Sequence, residues 1–296
     1  MKLEDIKNVL ILGSGTLGLR VGLACALNGY QVTIYDISEK AFENAKRIQR
    51  DLLKSLIKLK AITEDAIEPA LSNIAWTTDA QLAGKDADLV SESVTEDVAI
   101  KKLVWEQFGE ICPEHTIFTT NTSYLVPSTF SESTGRPERF CALHFHDVFF
   151  SNVVDVMPNP KTEDWLIPLL TAFGKSIGQI PVFIKRESPG YIFNAMLGAV
   201  LKAAGKLVTY DVAEVEDVDR SWMGNFKAHV GPFGMMDEIG LDTVWHITKN
   251  NNDPKSIKFA ELLKSYVDQG KLGKKTGEGF YTYPRPRYRD KDFLVG

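Results

Sequence analysis

Three glycines, Gly13, Gly15 and Gly18, lie between the apolar run Val9-Ile11 and a helical stretch through Val21, Ala24 and Leu27, a spacing suited to cradling phosphate. Gly13 permits a tight turn, Gly15 lets backbone approach a pyrophosphate, and Gly18 lets the helix pack close to the strand. Ser14, Thr16 and Leu17 complete the turn. The helix that follows points unpaired N–H groups and the positive end of its dipole at the same place. A second apolar run ends in Asp36, 18 residues beyond Gly18. A carboxylate there can accept hydrogen bonds from the adenosine ribose and would repel a 2′-phosphate, which favours NAD over NADP. A GxGxxG alone is a common glycine turn. The order strand, turn, helix, strand, acid is what makes this one a dinucleotide site.

The elements needed to hold that turn are legible around it. From Lys7 to about Arg186, short apolar runs alternate with longer amphipathic segments, the pattern of a parallel sheet with helices on its faces. Expected strands are Val9-Leu12, Val32-Tyr35, Leu89-Ser93, Ile117-Thr119, Phe140-His144, Val153-Val156 and Ile180-Phe183. After Ser188-Pro189-Gly190 the strand signal stops, and Tyr191-Gly205, Glu214-Met223, Pro232-Ile247 and Lys255-Gln269 read as helices. The expected fold class is therefore α/β, a Rossmann-type mostly parallel sheet with helices on both faces, followed by an all-α C-terminal domain. Residues 1–187 are expected to form the NAD-binding domain and 188–296 the helical one. The segment Gly273-Tyr283 is rich in Gly and Lys, and Pro284-Lys291 reads as too basic and Pro-rich to be core.

The 296 residues, 44% hydrophobic and 25% charged, are enough for two domains with separate cores. A formal net charge of -5 provides no field for nucleic acid or anionic membrane. Cys25, Cys112 and Cys141 show neither a disulfide framework nor a zinc spacing, which fits a reducing cytosol. No apolar run has the length of a membrane span, and MKLEDIKNVLILG lacks the order of a signal peptide. The chain is expected to start at Met1, to be cytoplasmic and to bind a small molecule.

Three further blocks occur in order: Asn121-Thr122-Ser123-Tyr124-Leu125, Leu143-His144-Phe145 with His144 21 residues after Ser123, and Pro189-Gly190-Tyr191-Ile192-Phe193-Asn194. They resemble the successive active-site blocks of 3-hydroxyacyl-CoA dehydrogenases. Gly231-Pro232-Phe233, Ile239-Gly240-Leu241-Asp242-Thr243 and Gly273-Lys274-Lys275-Thr276-Gly277-Glu278-Gly279-Phe280-Tyr281 are similar to that family's C-terminal domain. The resemblance covers nearly the whole chain. Ala142-Leu143-His144-Phe145, Ser151-Asn152 and Val156-Met157 look closest to its diketoreductase-like branch.

The resemblance implies reversible oxidation of a short 3-hydroxyacyl-CoA, with hydride passing to NAD. His144 matches the family's general base; a neutral imidazole suits that role at neutral pH. Asp155 stands where the family carries a glutamate behind the imidazole, a placement that fixes the tautomer and stabilises the imidazolium. Ser123 and Asn194 match the residues that position the substrate oxygen. Asn121, Glu96 and Lys101 match cofactor-binding positions, Glu96 and Lys101 those near the nicotinamide side, although these two read more simply as an exposed charge pair. No metal is required. The family's C-terminal domain forms the dimer contact, so a homodimer is expected.

The chain departs from the family pattern after His144. Where the family continues His-Phe-Phe-Asn-Pro, this chain has His144-Phe145-His146-Asp147-Val148-Phe149-Phe150, and its carboxylate lies one residue closer and one methylene shorter. If the strand continues, alternation points His146 the same way as His144, whereas a loop histidine ordinarily faces solvent. Phe149 and Phe150 read as narrowing the pocket or as filling a domain interface. Arg47, Arg50, Lys54 and Lys58 fall near one helical face, a site for CoA phosphates or a solvated surface. Two alternatives stay open: the same machinery acting on a free hydroxy acid or diketo ester, as in diketoreductases and gulonate dehydrogenases, and a low-turnover NAD-binding protein like the λ-crystallins.

Overall fold

The structure, a computed structural model, describes residues 1–249 and 253–295. It divides into two compact units, Met1–Ile192 and Phe193–Gly296. The first contains β1 (Asn8–Leu12), α1 (Thr16–Leu27), β2 (Gln31–Tyr35), α2 (Glu39–Lys58), α3 (Ile67–Ser72), β3 (Ile74–Thr77), α4 (Ala80–Gly84), β4 (Leu89–Glu92), α5 (Val98–Ile111), β5 (Ile117–Thr120), β6 (Phe140–Phe145), β7 (Val153–Pro158), α6 (Leu166–Ser176) and β8 (Ile180–Phe183). The second contains α7 (Phe193–Thr209), α8 (Val215–Phe226), α9 (Pro232–Ile239), α10 (Leu241–Thr248) and α11 (Pro254–Asp268). No described helix is long and apolar enough to cross a membrane.

The eight strands form one sheet in the order β3-β2-β1-β4-β5-β6-β7-β8. All neighbours are parallel except β6 and β7. Burial on both faces makes the central strands read as unbroken apolar runs. Along β1, Val9 and Ile11 enter one core with Val21, Leu52, Leu170 and Phe173. Leu10 and Leu12 enter the opposite core with Trp105, Phe108, Phe118 and Phe140. Helices α1, α2 and α6 thus cover one face, and α4 and α5 the other. On α2 the buried positions Phe42, Ala45, Gln49, Leu52, Leu53 and Leu56 follow helical spacing and leave the other side to solvent.

Three expectations require correction. Sequence reading omits β3, a four-residue edge strand paired only with β2. The expected helix Pro232-Ile247 is two helices, α9 and α10, broken at Gly240 with φ +102°. The Pro-rich segment Pro284-Lys291 supplies core after all, because Tyr288 is buried in the second unit beside Phe233, Met236 and Leu263, as is Phe293 just beyond the segment.

Two buried carboxylates pin that tail. Asp219 accepts hydrogen bonds from the Phe233 and Gly234 N–H groups, at 2.8 and 2.9 Å in the first turn of α9, and from the Tyr281 hydroxyl at 2.9 Å. Asp237 accepts from the Phe280 and Tyr281 N–H groups, both at 2.9 Å, and from the Tyr283 hydroxyl at 3.2 Å. Burial pushes the Asp219 carboxyl up to about 6 against the pull of its three donors. A folded-state value raised above the unfolded one means that the folded state binds the proton more tightly, so this group's contribution to stability falls as pH rises from about 4 to above 6. Lowering the pH from 7 to 5 should therefore stabilise the wild type relative to Asp219→Asn by about 1 kcal/mol, read from urea midpoints of the two proteins. A difference that is flat or reversed across that window would refute a raised Asp219.

Candidate active site

At the dinucleotide turn, Gly13 takes φ +99° and donates its N–H to the Tyr35 carbonyl at 2.8 Å. A Cβ at Gly13 would lie 2.7 Å from the Ser93 carbonyl oxygen, and one at Gly18 would collide with the Gly13 carbonyl. Gly15 differs: it is exposed, a Cβ there would meet nothing within 4 Å, and as N-cap of α1 it has no side-chain cap. Thr16 is exposed and Leu17 half-buried. The turn is therefore rigid where it touches protein and open where a pyrophosphate would lie, with uncapped helix N–H groups beside it. Asp36, half-buried at the end of β2, accepts from the Ser14 N–H at 2.9 Å and the Ser14 hydroxyl at 2.6 Å through Oδ2, and from the Ser38 N–H at 3.2 Å through Oδ1. These features fit a bound NAD. Gly18→Ala should weaken NADH binding at least about tenfold in a fluorescence titration, because the methyl group forces helix and turn apart. Unchanged affinity would mean the turn is not the cofactor cradle.

Next to the turn lies a charge cluster. Lys101 and Glu92 are both buried, with Nζ 2.6 Å from Oε1. Glu92 also accepts from the Thr120 hydroxyl at 2.6 Å and the Val94 N–H at 2.9 Å. Lys101 extends the cluster to Glu96 at 3.2 Å, and Glu96 accepts from the Thr122 hydroxyl and from the Ser123 N–H at 3.3 Å. The expected exposed pair is thus a buried lysine held between two glutamates. Glu92 goes unnoticed in the sequence because Leu89-Ser93 reads simply as a strand, and nothing local marks its one acid as the partner of Lys101. Asn121 is also taken up by protein: its Nδ2 donates to Ser93 Oγ at 3.1 Å, and its Oδ1 accepts the Phe145 N–H at 2.7 Å. Ser123 is exposed at the start of the loop after β5.

The antiparallel register of β6 and β7 sets His144 opposite Asp155. Both are buried, with His144 Nδ1 3.0 Å from Asp155 Oδ2. The strand pairing runs one residue beyond β6, where the His146 N–H donates to the Val153 carbonyl at 3.2 Å. His146 consequently turns inward, with Nε2 3.0 Å from the same Asp155 oxygen and its ring 4.7 Å from that of His144. Burial alone would raise the Asp155 carboxyl, but the hydrogen bonds and charge of His144 and His146 outweigh it and hold the group below the usual carboxylate range. Asp155 is therefore an ionised acceptor, and each ring presents an N–H to it. Against the other side of His144, at 4.8 Å, lies the ring of Tyr191, buried and in the left-handed region at φ +58° just after Gly190 at φ +76°. The block Pro189-Gly190-Tyr191-Ile192-Phe193-Asn194 carries that signal, although the sequence pattern assigns a role to Asn194 and none to Tyr191.

The loop after His146 is tied down as well. Asp147 pairs with Arg20 of α1, whose guanidinium lies 5.7 Å from the centroid of the exposed Phe150 ring. Phe149 packs on the core beneath the sheet. Arg47, Arg50, Lys54 and Lys58 are exposed along α2. Asn194, half-buried, is the second residue of α7 in the other unit.

Comparison with known proteins gives the family. Residues 8–187 match the 3-hydroxyacyl-CoA dehydrogenase NAD binding domain, and residues 190–283 match that family's C-terminal domain. The chain belongs to the 3-hydroxyacyl-CoA dehydrogenase family. It is 32% identical to rat mitochondrial hydroxyacyl-coenzyme A dehydrogenase, covering 94% of this chain and 91% of the relative. Among solved structures it is similar to a diketoreductase, with TM-score 0.88 and 39% identity over 94% of this chain and 99% of that one. It is also similar to (S)-3-hydroxybutyryl-CoA dehydrogenase from Ralstonia eutropha, with TM-score 0.84 and 29% identity over 95% and 100%. As a member of the 3-hydroxyacyl-CoA dehydrogenase family, the protein is an NAD-dependent oxidoreductase with a Rossmann domain and a helical C-terminal domain.

Proposed function

We propose that the protein interconverts short-chain 3-hydroxyacyl-CoA and 3-ketoacyl-CoA, with His144 as general base. The observation that carries this reading is the buried His144–Asp155 pair at the end of β6. With Nδ1–H donated to Asp155, Nε2 of His144 is the nitrogen that accepts the substrate hydroxyl proton, and the fixed carboxylate stabilises the imidazolium. His146 donates to the same oxygen and so holds the shorter Asp155 side chain in register. Ser123 and Asn194 position the substrate oxygen. Gly13, Gly15, Thr16, Leu17, Gly18 and Asp36 hold NAD, which when bound supplies the hydride acceptor. Glu96 faces the nicotinamide side, while Lys101 and Asn121 act from behind by fixing Glu96 and the end of β6. The exposed basic residues of α2 receive the CoA phosphates. The helical unit makes a homodimer, and the protein works in the cytoplasm.

A second reading is reduction of a free keto acid or diketo ester. It is favoured by the altered loop, where Arg20 and Asp147 are paired, and by the similarity to diketoreductase. The two readings separate in one assay, NADH consumption with acetoacetyl-CoA, free acetoacetate and a 3,5-diketo ester. Turnover of the thioester alone supports the first, and preference for the free ketones replaces it with the second. Tight NADH binding with no turnover of any of the three would leave only a crystallin-like role.

A further inference from the structure

We propose that His144, His146 and Asp155 form a reversible binding site for a divalent transition-metal ion of the zinc or cobalt kind, and that filling it switches off the imidazole base. The switching clause rests on the reading of His144 as base; the binding site does not. Each of the three residues offers one donor atom, and these atoms lie within 4.8 Å of one another. Both nitrogen-to-oxygen separations are 3.0 Å. A tetrahedral zinc ion with bonds of about 2.1 Å sets its donors roughly 3.4 Å apart, so torsional adjustment of side chains on two paired strands suffices. Two imidazoles and one carboxylate suit zinc, cobalt, nickel or copper, whereas magnesium and calcium require oxygen ligands. Three protein ligands leave a fourth position for water.

The site arises from the departure already noted. His144 and His146 are two apart on one strand and so share a side, and the register brings Asp155 across from them. The family pattern has phenylalanine at the second position, which supplies no ligand.

The consequence follows from proton bookkeeping. A metal on His144 Nδ1 displaces the proton now donated to Asp155. In a neutral ring that proton moves to Nε2, and His146 likewise moves its proton from Nε2 to Nδ1, so no net proton is released. Nε2 of His144 then carries a proton and cannot accept another from a substrate hydroxyl.

The test uses the purified full chain. Cobalt(II) titration should give a visible absorption band saturating at one ion per chain and abolished by zinc(II). Oxidation of 3-hydroxybutyryl-CoA by NAD should fall in step with the band and return on addition of EDTA. His146→Phe and, as a second variant, His146→Gln should each weaken cobalt binding at least about tenfold, with NADH binding reporting that the fold is intact. No band at millimolar cobalt, or the same band in both variants, would overturn the site. A band at one equivalent without turnover of any substrate would leave the metal site standing and remove the functional reading. Turnover unaffected by a bound ion would remove the switching clause.

Discussion

Truncating His144 to alanine should lower kcat/KM for the preferred ketone substrate by about 10²–10⁴-fold while leaving NADH affinity nearly unchanged. The ring is buried at the end of β6 with Asp155 and Tyr191 as neighbours, whereas the dinucleotide turn lies between β1 and α1, so its loss removes proton transfer rather than cofactor binding. The neighbouring His146 is the natural candidate to substitute for it, since it shares Asp155 Oδ2. Its position two residues along the strand shifts its ring away from where a proton taken by His144 would sit, and an error near 1 Å in such a constellation costs about a hundredfold. Parallel kinetics on His144→Ala and His146→Ala, each with an NADH titration, separate the roles. The expected order is a large loss in the first and a smaller one in the second. Wild-type rates in His144→Ala would transfer the base to another group, and equal losses in both would make the imidazoles a single unit around Asp155.

Much of this site is legible in the sequence for a physical reason, and the rest is hidden for one. The dinucleotide turn can be read because its constraints are local: Gly13 needs a left-handed φ, Gly18 has no room for a Cβ, and the acid must end the next strand. The parallel strands can be read because both faces are covered. The His144–Asp155 pair rests on a register between strands, which local pattern does not determine, so only the family resemblance points to it. The inward turn of His146 depends on one extra strand-pairing hydrogen bond beyond β6. Gly240 interrupts an apolar period that continues on both sides, so the pattern conceals the break. In the tail, composition outweighed two large side chains, Tyr288 and Phe293, that find a core only in three dimensions.

The second large effect concerns Lys101. Replacing it with methionine preserves much of the volume but leaves Glu92 buried without its counter-charge, retaining only the Thr120 hydroxyl and the Val94 N–H as partners. Removing one member of a buried ion pair typically costs about 3–5 kcal/mol. For a chain of this size that corresponds to a drop in Tm on the order of 10 °C. Lys101→Met combined with Glu92→Gln should recover most of the loss, because the uncompensated charge and not the missing lysine is the main penalty. Functional recovery should lag behind: Lys101 also holds Glu96, which grips Thr122 and the backbone of Ser123, so both variants should show a raised KM for NADH. Thermal melts and steady-state kinetics on the wild type, the single variant and the double variant measure both effects. A single variant as stable as the wild type would mean that Glu92 takes a proton or reaches water once Lys101 is gone, and the buried pair would then serve only to place Glu96 beside the serine loop.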